Sequence, residues 1–75
     1  MRLELDCRGL RCPAPIIALA KALPAVEVGD EIAVAATDVA ARVDTQAWCR
    51  MRGQAYVGEE MAEDGTPVHV VRRLL

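Results

Sequence analysis

Cys12-Pro13-Ala14-Pro15, set directly before Ile16-Ile17-Ala18-Leu19-Ala20, dictates where one helix of this 75-residue chain begins. Proline is favoured at the first helical position, where its missing N–H is not needed and its φ is already helical. The sequence therefore predicts Cys12 as the N-cap and Pro13 as the first helical residue. Ile16, Leu19, Ala20 and Leu23 recur at the spacing of one buried face. The helix is expected to stop before Pro24, because a following proline disfavours helical backbone.

The rest of the chain falls into place around that helix. Leu3 and Leu5 alternate with Arg2 and Glu4 as a first strand, and Gly9 supplies a turn in the loop from Cys7 to Arg11. After Gly29-Asp30, the residues Ile32, Val34 and Ala36 alternate as a second strand. Thr37 or Asp38 can cap a second helix, whose apolar stripe is expected to be Val39, Val43, Ala47 and Met51. Gly53 is placed to end it. Ala55, Val57 and Met61 mark a third strand and Pro67 to Arg72 a fourth, joined through the hairpin signal Asp64-Gly65.

The order βαβαββ with right-handed crossovers puts both helices on one face of the sheet. The fold class is thus α/β, a two-layer α+β sandwich of two helices on four strands, and residues 1–75 are expected to form one domain. Gly58, Glu59 and Glu60 suit an edge strand, whereas Val68-His69-Val70-Val71 suits the sheet interior.

A cysteine at a helix N-terminus meets unpaired N–H groups and the positive end of the dipole, which favour the thiolate, the nucleophilic form. Arg8 and Arg11 add positive charge nearby in sequence. Cysteine is also a poor N-cap beside Ser, Thr, Asp or Asn, so its choice points to chemistry. Against this stands the reading of Cys12 as a small buried hydrophobe. Cys7 can act as a second thiol that closes a disulfide onto Cys12, or be a packed loop residue. Cys49, beside Trp48, reads as core. Asp6 reads as the carboxylate that accepts loop N–H groups, with proton acceptance from Cys12 as its other reading. Cys7, Cys12, Cys49 and His69 lack the paired spacing of a zinc site, and no metal or cofactor is expected.

Composition narrows the classes further. The net charge is −2 and the sequence pI about 5.2, with Trp48 and Tyr56 the only aromatic residues. That leaves neither a basic stripe nor stacking platforms, and argues against direct nucleic-acid binding. No apolar run approaches the ~20 residues of a membrane span, and Glu4, Asp6 and Arg8 interrupt any signal-like start. A cytoplasmic location with reduced thiols is expected.

Leu5-Asp6-Cys7-Arg8-Gly9-Leu10-Arg11-Cys12-Pro13-Ala14-Pro15 resembles the opening of the TusA/SirA-like sulfur-carrier family, whose hallmark is Cys-Pro-x-Pro at the first helix. Gly29-Asp30-Glu31-Ile32-Ala33-Val34 is similar to that family's second strand. Thr37-Asp38, Asp44 and Trp48-Cys49 are similar to its second-helix segment, so the likeness runs along nearly the whole chain. The resemblance implies a mixed sheet with strand four antiparallel to its neighbours. It implies a persulfide on Cys12, with Pro13 and Pro15 as supports; read from the residues, Gly9 and Asp6 shape the loop, and Arg11 either steers an anionic sulfur or an acidic partner or is a plain exposed arginine. Asp38 and Asp44 would cap or fix helix two. The implied partners are a cysteine desulfurase or rhodanese-type donor and a DsrE-like acceptor, in routes such as tRNA 2-thiouridine synthesis, molybdenum cofactor metabolism or sulfur oxidation. Two other classes stay open: a thiol redox module using Cys7 and Cys12, and a non-catalytic interaction or RNA-binding domain.

Overall fold

Period-two alternation and the Pro and Gly breaks produce the expected elements in the expected order. The computed structural model describes residues 1–75 and runs β1 (Arg2–Cys7), α1 (Ala14–Ala22), a 3₁₀ turn (Leu23–Ala25), β2 (Glu31–Ala36), α2 (Ala41–Arg52), β3 (Ala55–Met61) and β4 (Pro67–Arg72). The sheet order is β1-β2-β4-β3. β1 is parallel to β2, and β4 is antiparallel to both β2 and β3, giving the mixed two-layer α+β sandwich. β3 lies at an edge and the more continuously apolar β4 inside, as their residues suggest.

One side of the sheet holds the core. Leu3, Leu5 and Cys7 of β1, Ile32, Val34 and Ala36 of β2 and Val71 of β4 meet Leu19 of α1 and Trp48 and Cys49 of α2. Leu19, Ile32 and Val71 are fully buried, each such side chain stabilising by ~1.5–3 kcal/mol. On the helix-free face, Ala33, Ala35 and Val70 are buried as well. Here the Arg2 guanidinium reaches from β1 to Glu60 on the opposite edge strand (2.9 Å) and to Glu31. The same hydrogen bonds, with Arg72 to Glu31 at 2.8 Å, pair Arg2 and Arg72 with carboxylates, while Arg73 donates to the Leu23 and Val26 carbonyls, so no free basic patch forms there.

The face of α2 corrects the sequence reading. Its buried residues are Ala41, Thr45, Trp48 and Cys49, whereas Val39, Val43 and Met51 are 94%, 66% and 79% exposed. Val39 precedes the helix, and of the residues on α2 the indole of Trp48 is the largest apolar side chain, which packs into the core and turns the helix toward the sheet. Val57 and Met61 of β3 are likewise exposed; a bulge between Tyr56 and Gly58 leaves Tyr56 as the side chain packed against the core. No helix is long and apolar enough to cross a membrane.

Candidate functional site

The loop between β1 and α1 is held from several sides. Asp6 Oδ1 accepts the Arg8 N–H at 3.1 Å, the turn geometry expected of it. Gly9, at φ +78°, donates its N–H to Thr37 Oγ1 at 2.9 Å. Thr37 therefore holds the loop and does not cap α2. Arg8 turns away toward the β3–β4 hairpin, with Nε 2.9 Å from Asp64 Oδ2 and Nη1 3.0 Å from Asp6. Its charge is committed there, contrary to its expected place beside the thiol. Arg11 is exposed, and its charge acts on Asp38.

Cys12 is not the N-cap. α1 begins at Ala14 with Pro13 as its cap, and the Cys12–Pro13 peptide is cis. The first helical N–H, of Ala14, is already taken by the Arg11 carbonyl at 2.8 Å, and Pro15 has none to offer. The sulfur instead finds carboxylates. The Cys12 N–H donates to Asp38 Oδ2 at 2.8 Å, and Cys12 Sγ donates to Asp44 Oδ2 at 2.6 Å. The expected depression of the thiol pKa is reversed: accepting the S–H, Asp44 pushes it up, with partial desolvation and the charges of Asp44 and Asp38 acting in the same direction. Pro13 and Pro15 carry no N–H and that of Ala14 is spent on Arg11, so few donors of the helix start are left to stabilise a thiolate.

Asp38 and Asp44 thus have clearer duties than a cap. α2 starts after Ala40, with no side chain capping it. Asp38 Oδ1 accepts the Ala40 N–H at 3.0 Å, while Asp44 projects from the first turn of α2 toward the sulfur. Cys12, Pro13 and Ile16 face Ala47, Trp48 and Met51 across a shallow cleft of about 230 Å³, with Asp44 also on its wall. The exposed side of α2 therefore continues into the walls beside the thiol.

Neither of the other cysteines shares this setting. Cys7 is 2% exposed within the core, where burial raises its thiol pKa, and burial pushes Cys49 to about 11. His69 is buried, with Nδ1 3.1 Å from the Tyr56 hydroxyl, and makes no hydrogen bond to Cys12. Burial lowers its pKa. Sequence reasoning missed Asp44 as the partner of the sulfur, since 32 residues separate the two and only the packing of α1 on α2 joins them.

Residues 3–73 match the family described as Sulfurtransferase TusA. The chain belongs to this family. Among TusA-family relatives, the sulfur carrier protein TusA of Pseudomonas syringae pv. syringae is 36% identical over 70 residues, covering 93% of this chain and 82% of that protein. Its counterpart from Pseudomonas entomophila is 33% identical over 69 residues, covering 92% and 85%. YrkF of Bacillus subtilis is longer: 35% identity extends over 92% of this chain but 37% of YrkF. The crystal structure of a SirA-like protein from Desulfitobacterium hafniense superposes with a TM-score of 0.82 over 100% of both chains at 22% identity, a likeness of fold. The Cys-Pro-x-Pro segment of this TusA-family chain is thus Cys12 to Pro15, on the wall of the interhelical cleft.

Proposed function

We propose that this chain is a sulfur carrier that holds sulfane sulfur as a persulfide on Cys12 and relays it between proteins. One observation carries the reading: of three free cysteines, Cys12 alone is exposed, at the surface end of α1 beside a shallow cleft that a partner's sulfur can enter. The chemistry is a sulfurtransfer. Cys12 Sγ attacks the terminal sulfur of a donor persulfide and a new S–S bond forms. The donor's S–S bond breaks with its electron pair on the donor sulfur, which ends as a thiol holding the proton lost by Cys12. Nothing is oxidised or reduced overall. Unloading is the same step with Cys12 Sγ as the leaving sulfur.

Pro13 and Pro15 fix the entry into α1, Asp6 and Gly9 shape the preceding loop, and Arg11 stands beside Asp38 to meet an anionic sulfur or an acidic surface. A cysteine desulfurase or rhodanese-type enzyme would load the thiol, and a DsrE-like protein would accept from it. Residues 1–75 act as one unit in this reading, in the cytoplasm, where thiols stay reduced. The burial of Cys7 speaks against a redox module that needs both thiols accessible.

The test is incubation with a cysteine desulfurase and free cysteine, followed by mass mapping. A single added sulfur, removable by reductant, is expected on the tryptic peptide beginning at Cys12. Equal labelling of a Cys12→Ser protein, or no adduct with any desulfurase or rhodanese donor, would overturn the assignment. A Cys7–Cys12 disulfide would instead point to redox chemistry.

A further inference from the structure

We propose that Asp44 is a proton guard on Cys12: its carboxylate keeps the resting thiol in the S–H form, and a cation presented by a docking protein partner frees the sulfur by pairing with Asp44 in its place. The inference rests on the sulfur-carrier reading only for the nature of the partner.

Cys12 Sγ and Asp44 Oδ2 lie 2.6 Å apart, a separation that two anions cannot share, so the pair holds a proton and, a carboxyl being a stronger acid than a thiol, it belongs to the sulfur. The charged groups around the sulfur are few. Asp44 faces it from α2, and Asp38, from the segment before α2, holds the Cys12 N–H. Arg11 on the Cys12 loop acts on Asp38, while Arg8 is occupied by Asp6 and Asp64. The first turn of α1 is Ala14-Pro15-Ile16-Ile17, with no charge at all. Two carboxylates thus outweigh one arginine, and the thiol pKa is raised rather than lowered.

The same geometry says what releases the guard. Asp44 stands on the wall of the cleft that also exposes Cys12, flanked by Pro13, Ile16, Ala47 and Met51. A protein that reaches the sulfur must lie over this apolar rim and cover Asp44. Covering a carboxylate without a compensating charge is costly, so a productive partner brings Lys or Arg to that point. Once the cation pairs with Asp44, the sulfur gives up its proton and attacks the donor persulfide, and the proton ends on the departing donor sulfur. An exposed thiolate left unguarded would be open to alkylation and oxidation by any small electrophile. The guard confines its reactivity to the docked complex.

The test needs no sulfur donor. The rate of iodoacetamide addition at Cys12, read by mass mapping against pH, is compared in wild type, Asp44→Asn and Asp44→Glu, each checked for a cooperative melt. Asp44→Asn should alkylate roughly tenfold faster at pH 7, with its titration midpoint moved to lower pH, and the rates should converge where all thiols are ionised. Asp44→Glu should stay slow. On wild type, the preference for a trimethylammonium methanethiosulfonate over its sulfonate analogue should exceed that of free 2-mercaptoethanol by about an order of magnitude, an excess that Asp44→Asn reduces. An unchanged midpoint or a slower Asp44→Asn overturns the guard. Should Asp44→Asn fail to fold, absence of the excess charge preference on wild type overturns it equally. Failure of the carrier reading appears separately, as no persulfide from any donor with the alkylation profiles intact.

Discussion

Asp38 and Cys12 lie 26 residues apart in the chain, yet the Cys12 N–H donates to Asp38 Oδ2 at 2.8 Å. The other oxygen takes the Ala40 N–H at 3.0 Å, so one carboxylate fixes both the approach to α1 and the approach to α2. These two N–H groups, that of Ala40 foremost, hold the Asp38 carboxyl below its usual pKa. Asp38→Ala should leave both donors to water and loosen Cys12 against Asp44. Amide exchange at Cys12 and Ala40 should accelerate roughly fivefold, with Asp38→Asn in between. Equal exchange in all three proteins would mean that the segment is held by something else.

The orientation of α2 gives three contrasting outcomes along one helix. Val43→Ser, on the exposed side, should change stability by less than ~0.5 kcal/mol. Trp48→Ala removes the large side chain that α2 packs into the core and should cost ~3–5 kcal/mol. Thr45→Val should stabilise by about 1 kcal/mol, because the Thr45 hydroxyl is buried with no hydrogen-bond partner. Urea melts of the three variants check this; a costly Val43→Ser would mean that the valine stripe faces the sheet.

Which parts of this were legible beforehand follows from the range of each interaction. Alternation and an Asp-Gly turn are local signals, and they mark β3 and β4 with the boundaries that the structure shows. The edge position of β3 could be read too, since Gly58, Glu59 and Glu60 are unsuited to a central strand. The valine stripe locates α2 but turns it the wrong way: its buried positions carry Ala41, Thr45 and Cys49, which a count of hydrophobic residues undervalues, while Trp48 alone sets the face. At the site, Cys12 and its prolines stand out because their spacing is local. The two carboxylates that accept the N–H and S–H of Cys12 come from the other helix and its approach, and only tertiary packing brings them there.

Gly53 ends α2 in the left-handed region at φ +69°, with its N–H on the Cys49 carbonyl. A side chain there strains the backbone by ~1 kcal/mol, and a Cβ would also come within 2.8 Å of Leu75 Cδ1. Gly53→Ala should therefore lower the melting temperature by about 5 °C. Gly53→Asn should lose less, since Asn tolerates this conformation. An Ala variant as stable as wild type would show that the helix can end another way.

The Arg8–Asp64 pair ties the loop before Cys12 to the β3–β4 hairpin, and its contribution should fade in acid. Asp64 accepts from Arg8 Nε at 2.9 Å and from the Thr66 N–H at 3.0 Å, and Arg8 foremost holds its carboxyl well below the usual range. A carboxyl depressed on folding stabilises the protein fully above its unfolded pKa, near 4, and loses that contribution as pH falls toward the folded value. Arg8 stays charged throughout, so the titration belongs to Asp64. The melting temperatures of wild type and Asp64→Asn should differ at pH 7 by about 2 °C, a small gap because both side chains are exposed. Below about pH 4 the gap should narrow, and at pH 2.5 it should be smaller than at pH 7. Carboxylates depressed by pairing away from Arg8, such as Asp30 and Glu31, titrate alike in both proteins and cancel in the difference. A gap that stays constant from pH 7 to pH 2.5 would mean that the Asp64 charge contributes nothing to holding the loop.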